Sequence, residues 1–99
     1  MISMNEITNL LSPVVQSSPI KRIIIFGSYA RGDATPESDL DMIIDSGGEL
    51  RGLDVFTWIH NIKKTMPVVT DIYESREIKT GSDLYESIKK EGVVIYERV

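Results

Sequence analysis

The chain contains no cysteine. Disulfide bonds and thiolate zinc sites are therefore excluded, and a reducing cytoplasm is permitted. Long apolar runs are missing as well. No stretch approaches the ~20 residues of a membrane span, and the N-terminus does not resemble a signal peptide. These absences make a cytoplasmic location the expectation. Clustered positive charge is also lacking. Eleven basic residues stand against fifteen acidic ones, for a formal net charge of -4. The basic residues are scattered, with Lys63-Lys64 and Lys89-Lys90 as mere pairs on solvated helix faces. Phosphate backbones are held by clustered Lys and Arg, so autonomous nucleic-acid binding is not expected. Histidine occurs once, as His60, far in sequence from the acids discussed below; a packing or surface role is expected for it.

What remains is ordinary for a folded protein. Hydrophobic residues make up 41% and charged ones 26% of 99 residues, so one domain spanning 1–99 is expected. A chain of this size buries roughly two-thirds of its unfolded surface, enough for one modest core. No internal repeat, low-complexity tract or linker interrupts it.

Ser3 and Glu6 form a capping box ahead of Ile7, Leu10, Leu11, Val14 and Val15 at helical spacing. Pro13 either kinks this helix or opens a second short turn capped by Ser12, and Pro19 ends it. Lys21 to Phe26 reads as a strand covered on both faces, because its Ile run does not alternate. A short helix is expected over 28–33, a loop over 34–37, and a second strand from Ser38 to Asp45. Leu53, Phe56, Ile59, His60, Lys63 and Met66 mark a long helix ended by Pro67. Val68 to Tyr73 reads as a third strand, and 74–80 as irregular or a helical turn. Ser82 to Lys90 is a helix with Leu84, Tyr85 and Ile88 inward and Gly92 as its C-cap; Val93 to Tyr96 is the last strand. Strands alternating with helices indicate an α/β fold in two layers, a small mixed sheet of about four strands flanked by helices.

The chemistry concentrates in two spots ten residues apart. Asp39 and Asp41 lie two apart on a strand, so their side chains share a face. Their Cα atoms stand roughly 6.6 Å apart at a rise of ~3.3 Å per residue. Such carboxylates can converge on one hard cation, Mg²⁺ or Mn²⁺ rather than zinc, or bridge two. The alternative is a polar strand end facing water. Gly27-Ser28 closes the Ile-rich strand. A glycine there lets a ligand approach the backbone, and a helix starting at Ser28 would offer free N–H groups to phosphate. The alternative is an ordinary strand-to-helix turn. Asp71 lies mid-strand, where a charge is costly unless paired or metal-bound. It joins the first two acids if its strand neighbours theirs, and could then accept a proton from an attacking hydroxyl; otherwise it is an edge-strand acid facing water. Glu74 is the fallback.

Gly27-Ser28-x10-Asp39-Leu40-Asp41 with Asp71 resembles the nucleotidyltransferase superfamily of DNA polymerase beta. The Gly27-Ser28-Tyr29-Ala30-Arg31-Gly32 segment and the closing Glu91-Gly92-Val93-Val94-Ile95-Tyr96 resemble, within it, the minimal nucleotidyltransferases. The resemblance covers essentially the whole chain. It implies a polymerase beta palm-like fold in which Gly27 and Ser28 hold the phosphates of a nucleoside triphosphate. It implies that Asp39 and Asp41 hold two Mg²⁺ ions, and that Asp71 binds one metal and activates the acceptor. Arg31 either reaches the phosphates or pairs with Asp33 or Glu37.

Minimal members resemble antitoxins that add AMP to a tyrosine of a HEPN-domain toxin. The resemblance therefore implies an enzyme transferring AMP from ATP to a partner hydroxyl, working in a hetero-oligomer. Two other functions compete with it: an antitoxin that neutralises its toxin by binding alone, and a transferase acting on a small-molecule hydroxyl. Tyr29 is open to pocket lining or core packing. Of Phe56 and Trp58, one is expected in the core and one facing a partner. Tyr73, Tyr85 and Tyr96 read as structural.

Overall fold

The computed structural model describes residues 1–98. Helix α1 (Met4–Val15) opens on the expected capping box, with the Ser3 hydroxyl accepting from Glu6 N and the Glu6 carboxylate from Ser3 N. It buries Ile7, Leu11 and Val15. Pro13 does not open a second short turn; it sits inside one continuous element near its end. Only one intrahelical bond is lost there, because proline lacks just its own N–H.

Strand β1 (Arg22–Phe26) leads through Gly27 into the one-turn helix α2 (Ser28–Arg31). Gly32, at φ 86°, adopts the left-handed conformation and ends α2 two residues earlier than the spacing suggests. Strand β2 (Leu40–Asp45) also starts two residues late. Ser38 is held in a turn, its N–H donating to the Thr35 carbonyl at 3.0 Å and its hydroxyl accepting from Thr35 N at 2.9 Å. Helix α3 (Leu53–Thr65) is followed by strand β3 (Thr70–Glu74) and a 3-10 turn at Ser75–Glu77. Helix α4 (Asp83–Glu91) is capped by the Ser82 hydroxyl, and strand β4 (Val93–Glu97) closes the described chain. Gly92 is required by crowding: a Cβ there would lie 2.5 Å from the Ile88 carbonyl oxygen and 2.9 Å from Ile24 Cγ2.

The four strands form one mixed sheet in the order β3-β2-β1-β4. β1 pairs antiparallel with β2 and β4, while β2 and β3 run parallel. The core fills one face, where Ile23, Ile25, Leu40, Met42 and Ile44 meet Ile7, Leu11 and Val15 of α1, Ile62 of α3 and Met66 just after it. The second face is not bare, as a two-layer arrangement would leave it. Helix α4 covers one end, its Tyr85 and Ile88 lining a cavity with Ile24 and Ile43. β1 is therefore covered from both sides, in keeping with its unalternating Ile run.

On α3 the apolar stripe divides. Val55, Trp58, Ile59 and Ile62 pack on the core, whereas Leu53 and Phe56 are 81% and 67% exposed. Trp58 is thus the core residue of the aromatic pair and Phe56 the outward one.

Candidate active site

The site lies on the second face, at the end α4 leaves uncovered. The β ladders place three residues there in one row: Phe26 on β1 is partnered by Asp41 on β2, and Asp41 by Asp71 on β3. The next row is Ile24, Ile43 and Tyr73. Neighbouring strands stand about 4.8 Å apart, so partnered side chains on one face are in close reach. Asp71 is on an edge strand, as one reading of the sequence had it, yet it is brought beside Asp41 and is half-buried.

Burial pushes the Asp41 carboxyl above the usual carboxylate range. Repulsion from Asp71 and then from Asp39 adds to the rise, while Arg31 opposes it. Both of the other sequence-selected acids therefore act on Asp41. They are not drawn into one tight set, however. Asp39 is exposed on the residue before β2. Among the described residues no three acidic, histidine or cysteine side chains stand close enough to ligate one ion as they are.

Gly27 carries the turn above this row. Its φ of 75° favours glycine, and a Cβ there would lie 2.5 Å from Asp41 Oδ2. The missing side chain leaves the Asp41 carboxylate open towards the first turn of α2, where the leading N–H groups lack intrahelical acceptors. The group can accordingly accommodate a hard divalent cation. Its donors are carboxylate oxygens, and its partly buried central acid is repelled by two like charges, which a cation would relieve.

Arg31 ends α2 but does not point freely into the site. Its Nε donates to Asp33 Oδ2 and its Nη1 to Glu91 Oε1 on α4, each at 3.2 Å. Of the two sequence-based pairings for Arg31, Asp33 occurs and Glu37 is replaced by Glu91. Glu74, the fallback acid, is not part of the site. It is 3% exposed and accepts from Arg76 N and Nε, at 2.9 and 3.0 Å. His60 is exposed on α3, in the layer across the sheet from the acids. Tyr29 packs in the core, with its hydroxyl buried and unpaired.

Tyr73 is the residue that sequence reasoning passed over as structural. It follows Asp71 by two positions and so shares its face, and its ring meets Phe26 at 6.0 Å between centroids. Burial, then the charges of Asp71, Asp41 and Glu77, hold its phenol above the usual tyrosine range. Strand alternation counted from Asp71 was the signal that could have found it.

A family model described as a nucleotidyltransferase domain matches residues 7–95. A candidate protein adenylyltransferase of Methanocaldococcus jannaschii is 38% identical over 81 residues, covering 78% of this chain and 79% of that protein. A second candidate protein adenylyltransferase of the same organism is 28% identical over 71 residues, 72% of this chain and 76% of that one. Among solved structures, a toxin-antitoxin complex with AMP-PNP superposes with a TM-score of 0.71 at 20% identity, covering 98% of this chain and 75% of that one. A tri-AMPylated Shewanella oneidensis HEPN toxin in complex with its MNT antitoxin gives 0.62 at 18% identity, covering 96% and 70%. These structural likenesses share the mixed four-stranded sheet and its flanking helices. The family match over nearly the whole chain, with the acids and the glycine turn on one sheet face, establishes that this protein is a member of the nucleotidyltransferase domain family and a nucleotidyltransferase.

Proposed function

We propose that the whole chain is one minimal nucleotidyltransferase domain that transfers AMP from ATP to a hydroxyl, a tyrosine, of a HEPN-domain toxin, and so acts as its antitoxin. The observation that carries this reading is the row Phe26–Asp41–Asp71 lying against the Gly27 turn. Support for the partner and for AMP transfer to it comes from two structural neighbours, a toxin-antitoxin complex with AMP-PNP and a tri-AMPylated HEPN toxin in complex with its MNT antitoxin. The relatives described as protein adenylyltransferases support the protein substrate.

In this reading the backbone at Gly27 and Ser28 holds the triphosphate, the Ser28 hydroxyl adding a donor. Arg31 exchanges its carboxylate partners for phosphate oxygens. Asp39, Asp41 and Asp71 would hold two Mg²⁺ ions, which supply charge neutralisation at the attacking and leaving oxygens. Asp71 lies beside the acceptor and takes the proton of the attacking hydroxyl. The oxygen attacks the α-phosphorus and pyrophosphate leaves. The partner supplies the acceptor side of the pocket in a hetero-oligomer. The reaction belongs in the cytoplasm, where ATP is available, and no helix of the described chain is long and apolar enough to cross a membrane.

A second reading has one observation in its favour. The exposed Leu53 and Phe56 on α3 form an apolar surface suited to covering a toxin without modifying it. One experiment separates the two. Asp41→Asn in the enzymatic account lowers AMP transfer by about 10²-fold or more, read by intact mass of the toxin, and toxin neutralisation falls with it while complex formation persists. Neutralisation surviving in that variant would establish the binding account instead.

A further inference from the structure

We propose that Tyr73 is a self-modification site, its phenolic oxygen accepting AMP within the chain's own active site. The inference rests on the reading that this site adenylylates hydroxyl groups. Tyr73 stands on β3 two residues beyond Asp71 and opposite Ile43 of β2, so its side chain rises from the same face as the acid pair. Phe26 rises from that face on β1, with β2 between them. Strands two apart in a sheet are separated by about 9.6 Å, twice the ~4.8 Å spacing. The two rings nevertheless lie 6.0 Å apart at an interplanar angle of 45°. The two rings therefore approach each other across β2, in the rows that hold Asp41 and Ile43. Phe26 is itself buried and runs directly into Gly27-Ser28. The phenol is thus anchored between the acid pair and the strand that delivers the phosphate turn. It is half-buried.

The other tyrosines are placed differently. Tyr29 is buried in the core. Tyr85 belongs to α4, under Lys89. Tyr96 lies in β4 with its hydroxyl accepting from Arg98 Nη2 at 2.9 Å. Tyr73 is the tyrosine beside Asp71, the acid assigned to the acceptor. The chemistry is that of the main reaction. The Tyr73 oxygen bonds to the α-phosphorus of ATP, the bond from that phosphorus to the bridging oxygen breaks, and pyrophosphate leaves with the electron pair. The phenolic proton passes to the Asp71 carboxylate and on to water. The product is a phosphodiester joining AMP to the tyrosine.

The test uses the full chain incubated with ATP and MgCl₂, without any partner. Intact mass should show one added AMP per chain, and tandem mass spectrometry should place it on Tyr73. Tyr73→Phe should take up none. The rate per molecule should stay constant on dilution, because the step is intramolecular. Calorimetry of ATP with MgCl₂ is run alongside. Binding without AMP uptake overturns self-modification and leaves the reading of the nucleotide site standing, whereas absence of binding overturns both. AMP on another residue, or a rate that rises with protein concentration, also overturns the proposal. Should Tyr73→Phe fail to fold, the mass assignment on the unaltered chain decides alone.

Discussion

At neutral pH the Asp41 carboxylate is half-buried and repelled by two other acids, and its charge works against the fold. The sign follows from its raised pKa. An acid whose folded value exceeds its unfolded one costs stability once pH climbs past the unfolded value, and the cost is complete above the folded value. Asp41→Asn should therefore raise the melting temperature of the metal-free protein at pH 7 and change it little at low pH. The same variant should lower AMP transfer by about 10²-fold or more, the scale lost with one group that stabilises transition-state charge. Thermal melts across pH, paired with transfer assays, check both halves; a variant less stable at pH 7 contradicts the electrostatic part. Gly27 makes the complementary demand. At φ 75° and with Asp41 Oδ2 2.5 Å from any added Cβ, Gly27→Ala should destabilise by about 1–3 kcal/mol. Urea unfolding measures this, and a midpoint equal to that of the unaltered chain would contradict the close approach.

Elements contribute unequally along their own length. On α3, Ile62 is fully buried while Phe56 is 67% exposed. Ile62→Ala should cost about 2–5 kcal/mol. Phe56→Ser should stay within about 0.5 kcal/mol, as surface changes do. Denaturant midpoints of the two variants test the division of the helix. Between elements, Arg31 of α2 is tied to Glu91 of α4 at 3.2 Å, with Asp33 as a second partner. Both contacts are partly exposed, so Glu91→Gln should change stability by less than about 1 kcal/mol. It should tighten ATP binding by a few-fold, because Arg31 then has one competing carboxylate fewer. Calorimetry at low salt reads the change, and weakened binding would mean that Glu91 positions Arg31 rather than restrains it. At the far end of the same face Asp45 is held below the usual carboxylate range. Burial alone would raise it, but the Gly47 N–H, the Ser75 hydroxyl and Arg22 outweigh that. Its stabilising contribution is present above the unfolded pKa and is lost as pH falls through the folded one.

For the molecule as a whole, much of the arrangement was legible in the sequence and some of it was not. The unalternating Ile23-Ile24-Ile25 run announced a strand covered on both faces, and the two-residue spacing of Asp39 and Asp41 announced a shared face. Ser3 and Glu6 fixed a helix start by local hydrogen bonding alone. Long-range pairing was out of reach. Nothing near Arg31 in sequence names Glu91, sixty residues away, as its partner. Strand order decides whether Asp71 meets Asp41, and order is set by packing that no local pattern records. Glu74 was a plausible acid until its neighbour Arg76 claimed it. Pro13 left a second short turn open, but the helix continues through it, with Leu11 and Val15 buried on either side.

The central claim is that Asp41 and Asp71 hold divalent metal beside a triphosphate seated on Gly27 and Ser28. Anomalous diffraction from crystals grown with Mn²⁺ and a non-hydrolysable ATP analogue tests it most directly. The account predicts a manganese peak ligated by both carboxylates, with the phosphates on the Gly27-Ser28 backbone. A bound nucleotide with no metal at those two acids, or phosphates lodged elsewhere, would contradict it.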